Sequence, residues 1–413
     1  MTDTVCIFLL ILEAALALWL LWREKLLVKP WAAVLCTVLV ALAFSLRGAS
    51  FDYETLDYQN FLTRWVDYFR SNGGFRALKT PIGNYNIPYL YFLALFSYLP
   101  VRDLYLIKSL SVLFDVLLAW AAMQLVGRTT RQPLMRSGVF FAVLFWPTVY
   151  LNGALWGQCD SIYVAFGLLG LWLALDDEPI GSMMLMAISF GFKLQAVFLL
   201  PICVVLLIYG KYKWWHFLIF PVTYVLLVLP AVLLGRPFWD TILLYFDQTG
   251  SVGDGLNYNS PSIFAIFWRI PAEQQSGAST IGIIAAALYM LDLLAVAFVK
   301  RRQLSDRSVL ALALLLTVGI PFLLPHMHDR YFYAADVLAL VLAFAMPPLL
   351  LVAPLVEFAS FLGYYAYLKM RYLLYMYYGS YALILALVLA AIGLALSFGS
   401  AVPKKASRKR KRT

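Results

Sequence analysis

Ile87-Pro88-Tyr89-Leu90-Tyr91-Phe92-Leu93-Ala94-Leu95-Phe96-Ser97-Tyr98-Leu99 is the stretch on which the topology of this chain turns. It is apolar enough to pass for a spanning helix, yet at about 13 residues it falls short of the roughly 20 that a crossing takes. Counting it as a crossing would also put Arg128, Arg131 and Arg136 outside, against the tendency of basic linkers to stay in the cytoplasm. We therefore read it as an interfacial or re-entrant helix within one large external loop, residues 48–104. Just upstream, Phe61-Leu62-Thr63-Arg64-Trp65-Val66-Asp67-Tyr68-Phe69-Arg70 interleaves aromatic and apolar residues with charges at helical spacing. Gly73-Gly74 then closes that helix, so the loop is expected to carry helices lying along the membrane.

Outward from this loop the chain is almost pure hydrocarbon. Of 413 residues 63% are hydrophobic and only 13% charged, about half the charge of an ordinary soluble domain. That composition predicts an all-α, polytopic transmembrane bundle with no room for a separate soluble domain: one membrane domain over 1–402 and a basic tail over 403–413. Cys6 to Leu21 reads as a retained helix, because Met1 to Phe8 has no basic stretch and no small-residue cleavage site follows. The other expected crossings are the partner of that first helix, a broken pair over 180–210, and 105–124, 137–151, 161–176, 216–235, 279–299, 308–324, 332–346, 350–366 and 380–398. That makes about 13, with the N-terminus outside and the C-terminus cytoplasmic.

Charge fixes the orientation. Five basic linkers, at 23–29, 128–136, 211–213, 300–307 and the tail, hold 19 of the 32 lysines and arginines. This is a positive-inside pattern with a tail suited to anionic lipid headgroups, not a nucleic-acid surface. The segments 48–104, 152–160, 236–278 and 325–331 are then external. Cys6, Cys36 and Cys203 lie in apolar runs and only Cys159 near a loop, a spacing that implies neither disulfides nor a metal site.

The costly residues gather in the external segments. Phe51-Asp52-Tyr53-Glu54-Thr55-Leu56-Asp57-Tyr58 puts three carboxylates within six residues, able to accept a proton, hold a divalent metal, or simply be solvated. Trp156-Gly157-Gln158-Cys159-Asp160-Ser161 brings Asp160 to the mouth of a helix, where it can serve a substrate or only cap the helix. Lys193 and Gln195 sit at the outer turn of the broken pair. A lysine in a spanning segment wants a partner or snorkels to the interface. Pro325-His326-Met327-His328-Asp329-Arg330-Tyr331 closes the set; its two histidines, two apart, suit hydrogen bonding better than a metal box. Asp115 and Asp292 lie deep in apolar runs and are expected to need buried partners. Asp247 to Gly255 reads as an external linker that can also cover a ligand.

In order and membrane placement these elements resemble the GT-C superfamily of lipid-phosphosugar-dependent glycosyltransferases. They are Asp57-Tyr58 with Phe61-Leu62 and Trp65, Gly73-Gly74-Phe75, Asn84 to Tyr91, the Trp156 to Ser161 and Lys193 to Ala196 segments with Pro201, and Met327 to Tyr331. The chain is most similar to bacterial relatives of the GPI-anchor and dolichol-linked mannosyl- and glucosyltransferases, over about residues 45 to 340. The resemblance implies a GT-C type bundle and transfer of a hexose, mannose or glucose, from a polyprenyl-phosphate donor to a glycan, lipid-linked or protein acceptor of the cell envelope. Transfer would take place at the external face, with inversion at the anomeric carbon.

Within that reaction Asp57 takes the base's role, with Asp52 and Glu54 as secondary acidic candidates and Asp160 assisting the base or orienting the acceptor. Arg330, whose guanidinium can bind two phosphate oxygens at once, is expected on the donor phosphate with Lys193 and His328. Tyr89, Trp156, Gln158, Gln195 and Asp329 are expected to line the substrate. No cofactor and no metal ligand is assigned; the chain lacks a plain Asp-x-Asp pair, and a divalent metal is left open. The rival readings are a transporter or flippase, which would place its ionisable groups near the midplane in repeated halves, and a polymerase or ligase of lipid-linked saccharides.

Overall fold

Proline starts many of the helices. Pro30, Pro88, Pro133, Pro147 and Pro179 each stand in a first helical turn, where the missing N–H costs nothing because that donor has no helical partner anyway. A computed structural model describes residues 2–83, 85–245, 253 and 255–398. Asn84, most of the Asp247–Gly255 linker and the basic tail lie outside the described residues.

Thr2–Arg23 (α1) and Pro30–Gly48 (α2) pack as a first pair, followed by short pieces: a π turn at Tyr58–Leu62, Thr63–Ser71 (α3), a 3-10 turn at Gly74–Lys79 and Ile87–Phe96 (α4). Then come Asp103–Thr129 (α5), Pro133–Phe145 (α6), Pro147–Tyr150 (α7) running into a π turn at Leu151–Trp156, Asp160–Leu175 (α8), Pro179–Phe192 (α9) and Ile202–Ile208 (α10). The chain continues through Ile219–Leu233 (α11), Phe238–Ile242 (α12), Ile263–Ile266 (α13), Ala272–Val299 (α14), Asp306–Leu323 (α15), Tyr333–Ala345 (α16), Val352–Lys369 (α17) and Tyr377–Ser397 (α18). Asn257–Tyr258 (β1) and Met327–His328 (β2) pair in parallel, Asn257 opposite Met327.

Among the described residues eight helices are long and apolar enough to cross a membrane, and nine if α6 and α7, bent by 49° at Trp146-Pro147, count as one. Four shorter apolar helices, Asp160–Leu175, Pro179–Phe192, Leu194–Ile208 and Tyr333–Ala345, fall where further crossings were expected. The deciding stretch forms a helix of only 10 residues, Ile87–Phe96, about 15 Å long. Asn86 starts it by accepting the Ile87 N–H at 2.8 Å. The expected broken pair over 180–210 is present: α9 stops at Phe192 and Lys193 is extended before a 3-10 turn.

Burial sorts the helices. The apolar windows of α5 and α15 are 78% buried, whereas those of α1, α2, α11 and α14 are 22–28% buried and face outward. Asp115 on α5 has the buried partner it needs, Arg47 of α2 at 3.0 Å. Asp292 on α14 does not follow that expectation: its side chain is exposed, because α14 is the least embedded of the long helices.

The helices connect two chemically distinct ends. At one, Arg128 meets Asp176 at 2.8 Å and Asp306 at 3.0 Å, Arg136 meets Glu24, and Lys211 meets Asp177. Four of the basic linkers thus converge. Helices α5, α8 and α15 run from that end to Asp103, Asp160 and the 325–331 segment, which gather at the other.

Candidate active site

Asp57 stands in helical conformation immediately before the first π turn, and its carboxylate is held from three sides. Oδ2 accepts from Trp156 Nε1 at 2.9 Å and from Gln158 Nε2 at 2.8 Å; Oδ1 accepts from the Tyr367 hydroxyl at 2.5 Å. Trp156 and Gln158 both reach it because Gly157 between them takes φ +77°, a left-handed conformation that glycine adopts without a steric cost. The Trp156 ring has two close neighbours. Tyr367 stacks on it at 4.3 Å, and the Arg330 guanidinium lies 5.0 Å from its centroid.

Arg330 is the hub. Its Nη1 is 4.0 Å from Asp57 Oδ2 and 3.8 Å from Asp329 Oδ1, and its Nε is 3.6 Å from Asp160 Oδ2. These are ion-pair distances, too long for hydrogen bonds. The buried Nε has no hydrogen-bond partner among the described residues, nor do Asp329 Oδ1, Asn152 Oδ1 and Gln195 Oε1 nearby. Burial works against the Arg330 charge, but Tyr85, Asp160, Asp329 and Asp57 more than offset it and hold the group above its ordinary value. The guanidinium is therefore a charged donor with bonding capacity to spare.

Lys193 lies in the break between α9 and the following 3-10 turn and reaches Asp160 at 2.5 Å, with the Tyr85 ring 5.9 Å away. Lys193 is thus a buried, ion-paired lysine. Asp160 also accepts from Asn152 Nδ2 at 2.8 Å, whose other amide contact is the Tyr364 hydroxyl, and it makes no capping bond to α8. With 1% of its side chain exposed against 19% for Asp57, Asp160 is the more deeply buried of the two and pairs with both cations.

The 325–331 segment is fixed by its strand partner. The His326 N–H donates to Leu256 at 2.8 Å, its ring bonds Gly255, and the His328 ring stacks on Tyr258 at 4.7 Å. Burial and the neighbouring Arg330 and Lys193 push His328 down to about 4. Near neutral pH its ring is therefore uncharged, and it packs between Tyr258 and Tyr331. Burial pushes Asp329 up to about 7. Gly363 of α17 lets this segment pack, since a Cβ there would lie 2.7 Å from the Asp329 carbonyl and 2.8 Å from that of Asn259.

The remaining expectations divide. Gln195 is half-buried beside Tyr331, with which it interacts, and stays at the site. Tyr89 is 1% exposed and packs against Tyr85, ring centroids 4.9 Å apart. Asp52 and Glu54 turn aside to Arg102, Asp52 at 3.2 Å, and Tyr105 also bonds Asp52. They belong to a separate ion-pair cluster around Arg102, whereas Asp57 lies by Arg330. No group of His, Cys, Asp or Glu among the described residues is arranged to hold a metal ion.

Two residues of the site were not read from the sequence, Tyr364 and Tyr367. Their signal is a stripe on α17, Glu357, Ser360, Tyr364 and Tyr367, spaced three, four and three apart along one helical face. In comparisons with known proteins, no family model matches the chain and no curated protein matches it significantly.

Proposed function

We propose that this chain is an integral membrane glycosyltransferase of GT-C type that moves a hexose from a polyprenyl-phosphate donor to an acceptor hydroxyl at the external face, with inversion. The observation that carries the reading is the meeting of Asp57 and Arg330. They are far apart in sequence, face each other at 4.0 Å, and are each partly exposed. Beside them lie buried polar atoms with no partner among the described residues, groups that a water, an ion or a functional role must account for.

The chemistry needs two groups. A base must take the acceptor's proton while its oxygen forms the new bond to the anomeric carbon, and a cation must receive the charge that builds on the departing lipid phosphate. Asp57 takes the first role, its carboxylate aimed by Trp156, Gln158 and Tyr367. Arg330 takes the second, because its spare N–H groups match the phosphate oxygens. Lys193, balanced by Asp160, adds positive charge behind it. In this reading the four shorter apolar helices also cross, making about 13 spans. The short helices of 48–104 then lie along the outer surface, and the basic end with its tail faces the cytoplasm and its anionic lipids.

A transporter is the less supported reading, since the ionisable cluster sits at one end of the bundle and not halfway along it. The test uses purified full-length protein in nanodiscs with polyprenyl-phosphate mannose and polyprenyl-phosphate glucose, supplied with an envelope lipid and glycan extract. A new glycoconjugate with matching release of polyprenyl phosphate is expected by mass spectrometry. Substrate counterflow in proteoliposomes without any bond formed would overturn the proposal.

A further inference from the structure

Two cavities share Asn259 and Tyr372 in their walls, and one of them reaches Tyr367, whose hydroxyl bonds Asp57. The nearer, about 290 Å³, is lined by Tyr367, the residue bonded to Asp57, together with Asn259 and Tyr372. Asn259 and Tyr372 also line the farther one, about 400 Å³, which lies between the 256–270 segment and the turn leading into α18. The two residues they share are joined by a hydrogen bond, Tyr372 hydroxyl to Asn259 Oδ1 at 2.7 Å.

The walls of the farther cavity mix two chemistries. Trp268, Tyr375 and Tyr377 supply flat aromatic faces, and the two tyrosine rings are nearly parallel at 5.4 Å. Trp268 and Tyr375 are 64% and 69% exposed. Asn259 and Gln275 bring amides to the same space, and neither the Asn259 Nδ2 nor the Gln275 side chain has a hydrogen-bond partner among the described residues. Asn257 is different: its amide is spent on Ser260, fixing the turn that presents Asn259. A hydrocarbon chain seated here would cover the aromatic faces but leave those amides unpaired, at a cost of roughly 1–3 kcal/mol each. A sugar ring satisfies both, with C–H faces on the aromatics and hydroxyls on the amides.

We propose that this cavity is a saccharide subsite on the acceptor side, holding glycan residues beyond the one whose hydroxyl meets Asp57. The proposal rests on the transfer reading for its place in the reaction. The acceptor is then a chain of sugars, threaded from the farther cavity past Asn259 and Tyr372 to the carboxylate.

Binding of mannotriose, maltotriose and farnesyl phosphate to the full-length protein in nanodiscs tests this by calorimetry, for wild type, Trp268→Ala and Gln275→Ala. The two variants lie on different segments and Trp268 is largely exposed, so both are expected to fold. At least one triose should bind, and lose roughly tenfold in affinity in both variants, the size of one hydrogen bond or stacking contact. Farnesyl phosphate should bind all three proteins alike. The proposal is overturned if neither triose binds wild type, if triose affinity is unchanged in the variants, or if the variants weaken farnesyl phosphate instead. Triose binding that persists in a protein with no transfer activity would sink the transfer reading while leaving the subsite standing.

Discussion

Asp329 makes the site sensitive to pH near neutrality. Below about pH 7 it is protonated, and Asp57 and Asp160 balance Arg330 and Lys193; above it a third negative charge appears 3.8 Å from Arg330. That charge opposes a phosphate on the same guanidinium. The KM for a polyprenyl-phosphate sugar is expected to rise as pH passes through 7, and Asp329→Asn should flatten the rise. Stability follows with a definite sign. The folded value, about 7, lies above the ordinary 3.8. The stabilisation from burying the neutral acid is therefore complete below 3.8 and lost as pH rises through 7, so the melting temperature should fall less steeply over that window in Asp329→Asn than in wild type. Arg330→Lys keeps the charge but loses the planar fork; a fall of about 10- to 100-fold in kcat/KM is expected in steady-state assays. Much of this site was legible in sequence, because Asp57, Asp160, Lys193 and Arg330 are ionisable residues in apolar surroundings, where such groups need a reason. Tyr364 and Tyr367 were not, since a tyrosine near the end of a spanning helix looks the same whether it belongs to an interface belt or bonds a distant carboxylate. Nor could sequence separate Asp57 from Asp52 and Glu54; that needs Arg102, which only the fold brings to the latter two.

At the scale of elements, the bend between α6 and α7 shows how a local break is stabilised from far away. Pro147 has no N–H to give the preceding turn, so the helix opens at Trp146. The freed Leu144 carbonyl accepts from Arg47 at 2.9 Å, and the Thr148 N–H donates to Glu357 at 3.0 Å. Arg47 thereby ties α2 to both the bend and Asp115 of α5. Arg47→Met strands a buried carboxylate and is expected to cost about 3–5 kcal/mol. Adding Asp115→Leu should recover most of that loss, read as thermal stability in detergent. From sequence 137–151 looked like one straight crossing, because a proline that starts a helix and one that bends it leave the same trace. The break at Lys193 was legible, since there the extended residue is charged and Gly191 and Pro201 flank it.

For the whole molecule, one buried apolar cluster runs from Cys6 to Leu394 and separates an ion-paired basic end from the end that carries Asp57 and Arg330. Sequence anticipated this polarity through the basic linkers, and the count of spans less well, because helices of 14 to 16 residues such as α8 and α9 sit at the limit of what crosses unaided. Orientation has its own test. The four native cysteines are buried, whereas Arg76 and Arg301 are exposed on opposite ends. In intact cells Arg76→Cys should react with an impermeant maleimide and Arg301→Cys only after permeabilisation; the reverse would invert the topology. Release of polyprenyl phosphate from the hexosyl donors by purified Asp57→Asn and Arg330→Met, compared with wild type at matched thermal stability, decides whether the chain transfers hexoses through this site. Wild type should release polyprenyl phosphate and each variant at least about 100-fold less; wild-type rates in either variant would rule the transfer mechanism out.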